Sequence, residues 1–187
     1  GAEGTAVFSY NAFHQQTAVT MPDGKHLENQ YDAEYLRAGM VENGTVTTFS
    51  YHNGELLAES SPDGDTISRY IPGYGVAAGW NREKSGYHYY HLDEQNSTAY
   101  ITGGNGEIEN RYEYDAFGVL QNSREEFSDR ILYTGQQYDQ TSGQYYLRAR
   151  FYNPVLGRFV QEDEYRGDGL NLYAYCKNNP VVYYDPS

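Results

Sequence analysis

Residues 43–51 read Asn-Gly-Thr-Val-Thr-Thr-Phe-Ser-Tyr. Asn-Gly is the pair that a two-residue β-hairpin turn favours, because both residues accept positive φ at little steric cost. The run from Thr45 to Tyr51 then alternates between two sides of an extended chain and is rich in β-branched and aromatic residues. This stretch predicts a tight turn followed by a strand that has one buried face and one solvent-exposed face.

The same pattern recurs along the chain. Tyrosines follow one another at intervals of 21, 20 and 19 residues, at Tyr10, Tyr31, Tyr51 and Tyr70. A turn glycine stands six or seven residues before a tyrosine at Gly24, Gly44, Gly64 and Gly106. The repeating unit is thus a strand, a turn and a returning strand. A single hairpin is marginal in water, so the units are expected to stack into one continuous sheet and give an all-β fold.

The composition agrees with thin sheets that have one face packed and one face exposed to solvent. The 187 residues include 22 Tyr and 20 Gly but one Trp, so most of the apolar material is tyrosine. A tyrosine packs its ring and still reaches water or a partner with its hydroxyl group. Residues 121–130 are polar and predict a solvated loop, with a short polar helix as the alternative.

Charge and hydropathy exclude several classes of partner. The net charge of −13 disfavours a nucleic acid or an anionic membrane surface. No apolar run is long enough to span a membrane, and residues 1–25 lack the features of a signal peptide, so any export signal is expected outside this segment. Cys176 is the single cysteine, which excludes an internal disulfide and predicts a small buried residue. We expect no cofactor and no metal, since His88 and His91 would point to opposite faces of a strand.

Two sets of motifs resemble a known family. Tyr31-Asp32 and the tyrosine period resemble the YD repeats of Rhs proteins, insecticidal Tc toxin shells and teneurins. Segments of the second half resemble the Rhs-associated core in order and spacing: residues 87–93, 111–118, 133–139, 143–152, 157–159, 170–175 and 178–186. The resemblance implies a YD-repeat β-hairpin segment at 1–84 and an Rhs repeat-associated core at 85–187. It also implies that the stacked hairpins form part of a spiralling β-sheet shell, which the core module plugs.

The resemblance implies a chemistry as well. In the family, the core cuts the chain from its C-terminal passenger with an arginine and two aspartates, which correspond here to Arg150, Asp163 and Asp185. Two adjacent carboxylates share a proton, so that one acts as an acid while the other activates water, and an arginine can hold one of them. The cut would fall beyond Ser187, so the chain itself is expected to be inactive.

The residues alone also permit a plainer interpretation of the same positions. Asp163 stands in an acidic run that is typical of a solvated turn, and Asp185 precedes a proline, where aspartate often shapes a turn.

Two functional hypotheses follow. The first is a fragment of a secreted or cell-surface shell that encloses its own C-terminal toxin, with further YD repeats and that toxin as partners. The second is a carbohydrate-binding or adhesion module without protease activity, in which exposed tyrosines stack on sugars. Tyrosines paired across strands would disfavour glycan binding, and a shallow row of uncovered rings would favour it.

Overall fold

The computed structural model describes residues 4–162, 173–176 and 179–180. Within these residues the predicted all-β fold is confirmed, and the helical element is one short 3-10 turn, Tyr133–Gly135. The large sheet contains β1 (Val7–Tyr10), β2 (Gln16–Thr20), β3 (His26–Tyr31), β4 (Arg37–Glu42), β5 (Thr45–His52), β6 (Glu55–Ser60), β7 (Thr66–Gly73), β8 (Gly75–Asn81), β9 (Tyr87–Leu92), β10 (Thr98–Thr102), β11 (Ile108–Tyr114) and β12 (Leu120–Arg124). The small sheet contains β13 (Gln137–Asp139), β14 (Gln144–Leu147), β15 (Arg150–Asn153) and β16 (Arg158–Phe159).

The large sheet is a simple meander, in which each of its 12 strands pairs with its neighbours in the sequence. Tight turns make this possible. At Asn43-Gly44 the φ angles are 49° and 86°, and at Asn53-Gly54 they are 51° and 78°. Two successive positive φ angles are the conformation that matches the twist of a hairpin, so the turn predicted at Asn43-Gly44 is confirmed.

The other glycine turns are longer. Gly24, Gly64 and Gly106 have φ angles of 86°, 85° and 81°. The backbone N–H of Gly24 donates to the Met21 carbonyl at 2.9 Å, and the other two glycines make the same bond three residues back. The turns predicted at these glycines are therefore confirmed.

A second kind of turn follows Tyr10, Tyr31 and Tyr114, and also Leu92. Its first residue accepts hydrogen bonds through Oδ1 from the backbone N–H groups two and four residues later, at Asn11, Asp32, Asp93 and Asp115. For Asp32 both distances, from Glu34 and Leu36, are 2.9 Å. Tyr35, one residue before Leu36, has a φ of 64°. The aspartate of Tyr31-Asp32 is thus a turn-forming residue.

The small sheet packs on one face of the large sheet. Ile101 and Tyr112 of the large sheet share a buried cluster with Tyr145, Tyr152 and Phe159 of the small one. A second cluster lies on the same sheet nearer its beginning and is formed by Val19, Leu27, Met40, Phe49, Leu56, Tyr70 and Ile131. Ile131 belongs to the segment that links the two sheets.

The prediction for residues 121–130 is wrong in its first part. Residues 121–124 belong to β12, where Ser123 pairs with Tyr112 and Arg124 pairs with Arg111. This strand is the last of the large sheet and is mostly exposed, so no packed face imposes an apolar alternation on its sequence. Residues 125–130 form the irregular connection that was predicted.

Strand pairing continues past residue 84. Trp80 pairs with Tyr87, and Ala78 pairs with Tyr89, so β8 and β9 are neighbours in one sheet. The division at 84/85 into a repeat segment and a core module stays a prediction.

Candidate functional site

Arg150 is the one predicted cleavage residue that lies in the described part of the chain; Asp163 and Asp185 lie outside it. Arg150 begins β15, and its guanidinium carbon lies 3.6 Å from the centroid of the Phe159 ring. A guanidinium over an aromatic face is attracted by the ring quadrupole. Phe159 itself is buried, which fixes the plane against which Arg150 rests.

The chain that leads toward Asp163 is attached beside Arg150. The backbone N–H of Phe151 donates to Gln161 Oε1 at 2.8 Å, and the N–H of Val160 donates to the Phe151 carbonyl at 2.9 Å. Gln161 is 6% exposed, and its Nε2 has no hydrogen-bond partner within the described residues. A buried amide donor without a partner is costly and is able to bind an incoming oxygen atom.

This arrangement places a cation and a buried amide donor next to Glu162, where the acidic run begins. It can stabilise a carboxylate or a carbonyl oxygen that reaches it. Sequence reasoning identified Arg150 only through the family resemblance and missed Gln161. The single signal for Gln161 was its place after the apolar pair Phe159-Val160, where the next inward position of a strand would be buried.

A second group of polar residues is buried between the sheets and is here called the buried charge cluster: Arg37, Glu59, Arg130 and Asp139. Arg37 Nη1 lies 2.6 Å from Asp139 Oδ2, and both side chains are fully buried. Arg130 Nε lies 3.0 Å from Glu59 Oε2, and Arg130 Nη1 lies 3.6 Å from Asp139 Oδ1. The cluster therefore joins β4 and β6 of the large sheet to β13 of the small one.

Aromatic and amide groups complete the surroundings of Arg37. Its guanidinium carbon lies 4.6 Å from the Tyr146 ring centroid and 5.0 Å from that of Phe49. Arg37 Nη2 donates to Gln137 Oε1 at 2.9 Å. Arginine suits this position because its planar group stacks on rings while its N–H groups make forked hydrogen bonds. Because its members come from both sheets, the cluster constrains how the two sheets meet.

Asp129 is a further buried carboxyl group close to this cluster. Burial raises its pKa to about 7, although hydrogen bonds from the Tyr90 hydroxyl and from the Ile131 N–H at 2.7 Å favour the charged form. Glu59, which accepts from the Tyr70 hydroxyl at 2.6 Å, also raises the pKa of Asp129. Among the described residues no arginine contacts Asp129, so burial dominates and favours its protonated form.

Several tyrosines are bonded across the sheet rather than open to a ligand. The Tyr31 hydroxyl donates to the Gln16 carbonyl at 2.7 Å, that of Tyr51 to the Arg37 carbonyl at 3.0 Å, and that of Tyr114 to the Thr98 carbonyl at 2.9 Å. Each bond ties a repeat tyrosine to the backbone 14 to 16 residues earlier. These rings have a structural role.

The predicted separation of the two histidines is confirmed. His88 is buried, and its Nδ1 lies 2.6 Å from Glu109 Oε2, whereas His91 stacks on Tyr100 on the other face with ring centroids 4.4 Å apart. Burial would raise the pKa of Glu109, but Lys84 and His88 hold it below its usual value. In the described ranges no group of three or more possible ligands could hold a metal ion.

Cys176 contributes to packing. Cys176 is half-buried and packs against the cluster that contains Tyr152 and Tyr175, close to what was predicted. Among the described residues no helix is long and apolar enough to cross a membrane.

Comparisons with known proteins relate this architecture to larger molecules. No protein-family model matches the chain. It is 32% identical over 197 aligned positions to the tRNA nuclease WapA of Bacillus subtilis strain 168, covering 99% of this chain and 8% of WapA. It is 37% identical over 89 residues to toxin subunit YenC1 of Yersinia entomophaga, covering 44% of this chain and 9% of YenC1. The chain resembles segments of much larger toxin-related proteins.

A solved structure has the same fold. The crystal structure of TcdB2-TccC3 superimposes with a TM-score of 0.78 and 20% sequence identity, over 97% of this chain and 10% of that one. At this identity the likeness establishes the fold. Because the chain spans less than a tenth of the WapA and YenC1 proteins, their activities are not its own by similarity.

Proposed function

We propose that the chain is part of an Rhs/YD-repeat shell that encloses a C-terminal toxin and releases it by self-cleavage. The observation that carries this proposal is the likeness over nearly the whole chain to both WapA and the TcdB2-TccC3 fold. A meander whose repeats pair only with their neighbours extends by adding further repeats, which suits a large wall. The parent protein would then be secreted or displayed at the cell surface.

In this proposal Arg150, Asp163 and Asp185 form the cleavage site. The contact of Arg150 with Phe159 and the attachment of Gln161 to Phe151 support it, because they fix the entry to the acidic run beside a cation. Arg150 would hold one carboxylate in the charged form, and the other would carry the proton.

The test uses the protein extended past Ser187 by its native downstream sequence. We expect a cut just beyond Ser187, which is lost in Asp163→Asn and in Asp185→Asn and is seen by gel and mass analysis. Glu162→Gln is the matched control, since it neutralises an exposed neighbour in the same acidic run and should still cleave. An intact extended wild type would reject self-cleavage, and a mutant that still cleaves would remove its residue from the mechanism.

Enclosure has a separate test. In the full-length parent protein, the passenger should resist added trypsin, whereas the passenger fused to this chain alone should be digested. Equal digestion in both would argue against a shell and in favour of an adhesion module.

A further inference from the structure

Five ring side chains lie together on the face of the large sheet opposite the small sheet. They are here called the ring strip: Trp80, Tyr87, Tyr89, His91 and Tyr100. Tyr87, Tyr89 and Tyr100 are 58%, 47% and 38% exposed, and contiguous exposed apolar groups, unlike single ones, mark binding surfaces. Their sequence neighbours His88 and Tyr90 point the other way, toward Glu109 and Asp129.

Strand register places these rings side by side. Tyr87, Tyr89 and His91 alternate along β9, so they share one face of the strand. Trp80 of β8 pairs with Tyr87 at one end, and Tyr100 of β10 pairs and stacks with His91 at the other. From Tyr87 to His91 the strip is roughly 13 Å long, which suits about three sugar units.

Tyr89 lies in the middle with small neighbours. It is flanked by Ala78 on β8 and by Thr102 on β10, so no bulky cross-strand side chain covers its ring. Thr102 Oγ1 lies 3.0 Å from His91 Nε2, which gives this open ring a polar edge. Tyr89 is therefore an exposed ring between the Trp80–Tyr87 pair at one end and the stacked His91–Tyr100 pair at the other.

The size and charge of the strip select the kind of ligand. Three strands about 4.8 Å apart and 13 Å long give a footprint of roughly 130 Å², far below the ~800 Å² that each partner of a stable protein complex buries. An exposed tyrosine ring can stack on the face of a pyranose ring, and nearby hydroxyl and imidazole groups can bond the sugar hydroxyls. The net charge of −13 disfavours acidic saccharides.

We propose that the ring strip binds neutral oligosaccharides, with Tyr89 as the central stacking platform. This site is independent of toxin enclosure and self-cleavage, because it lies on the opposite face of the sheet from Arg150 and from the buried charge cluster. Tyr31, Tyr51 and Tyr114 take no part, since their hydroxyls are bonded to the backbone.

The chain contains its own reporter for the test. Trp80 is the only tryptophan, so its fluorescence reports on the strip alone. Titration of the 187-residue chain with cellohexaose or chitohexaose should give a saturable change with a Kd of roughly 1 mM or below, a value typical of a small contact. Tyr89→Ala should weaken binding about tenfold or more through the loss of stacking area, and Tyr89→Phe should keep it.

Tyr74→Ala is the matched control, because Tyr74 is 88% exposed at the β7–β8 turn and lies outside the strip. It should bind like the wild type, and both alanine variants should keep the wild-type thermal midpoint. No saturation with either hexasaccharide, or equal binding by Tyr89→Ala and wild type, would overturn the proposal. A dimer in sedimentation equilibrium that Tyr89→Ala dissociates would also overturn it, because the occupant would then be a second copy.

Discussion

Arg37 and Asp139 form a buried ion pair, with Nη1 and Oδ2 only 2.6 Å apart, although 102 residues separate them in the chain. Each charge depends on the other, because burial removes the water that would otherwise solvate it. Pairs of this kind add little net stability when compared with apolar groups, but removing one partner leaves an uncompensated charge.

Asp139→Ala should therefore lower the free energy of unfolding by about 3–5 kcal/mol, measured by urea denaturation. The exposed pair Lys25–Asp23, at 3.0 Å, offers the control, and Asp23→Asn should leave the stability almost unchanged because water already solvates both charges. Equal effects of the two substitutions would mean that burial does not set the strength of the Arg37 pair.

Asp129 should make the fold less stable as the pH rises. Its folded pKa of about 7 lies above the ordinary value of 3.8, so its contribution is complete near pH 4 and is lost as the pH rises toward 7. The titratable groups around it include Tyr70, Tyr90, Tyr112, Tyr114, Glu59 and Glu125. Asp129→Asn imitates the protonated acid and should be more stable than wild type at pH 8 but similar at pH 4.5.

Thermal unfolding of both proteins across this pH range checks the difference between them, which cancels the titration of other carboxyl groups. Glu113→Gln, at an exposed carboxylate, should show no such trend. A gap between Asp129→Asn and wild type that grows toward low pH would contradict the assignment of the proton to Asp129.

The hydroxyl of Tyr31 should contribute to stability through its bond to the Gln16 carbonyl. Tyr31→Phe removes one of two donors to this carbonyl, since Asn29 Nδ2 still donates to it at 3.1 Å, so we expect a loss of about 1 kcal/mol in urea unfolding. Tyr87→Phe changes an exposed hydroxyl group and should have almost no effect. Similar stabilities for the two variants would show that the cross-strand bonds of the repeat tyrosines add nothing.

The turn formed by Asp32 can be tested by substitution, because Asn11 forms the same turn with an amide instead of a carboxylate. Asp32→Ala removes the acceptor of two backbone N–H groups and should destabilise the fold by about 1 kcal/mol. Asp32→Asn keeps the acceptor and should be nearly neutral, since Asn11 fills the same role in the first turn. If the asparagine variant lost as much as the alanine variant, the negative charge rather than the acceptor would be the stabilising feature.

The free side of β1 should drive association of the isolated chain. Val7 is 61% exposed on this outermost strand, whose described partner is β2 alone. Val7→Lys should reduce association in sedimentation velocity, because an edge charge opposes strand addition. Val46→Lys lies on an interior strand at 38% exposure and should leave association unchanged.

The repeats made the local structure predictable. Asn43-Gly44 and the turn glycines specify hairpins within a few residues, and alternation in β5 indicates which face is packed. The exposed strand β12 has no packed face, so its polar sequence carried no such signal.

Long-range polar contacts could not be predicted in the same way. Arg37 and Asp139, or Asp129 and Tyr90, meet only because the small sheet folds back onto the large one, and nothing near either residue encodes its partner. Arg150 was found through family resemblance, and the ring strip required the register of β8, β9 and β10.

The meander topology also has a consequence for the order of folding. Strands β1 to β12 need only short loop closures, so the large sheet can form quickly and from any hairpin. Asp139, the partner of Arg37, leaves the ribosome about a hundred residues later. At ordinary rates of synthesis this delay is several seconds. Until then the Arg37 charge remains in water, and the apolar face of the large sheet that the small sheet later covers stays exposed to solvent.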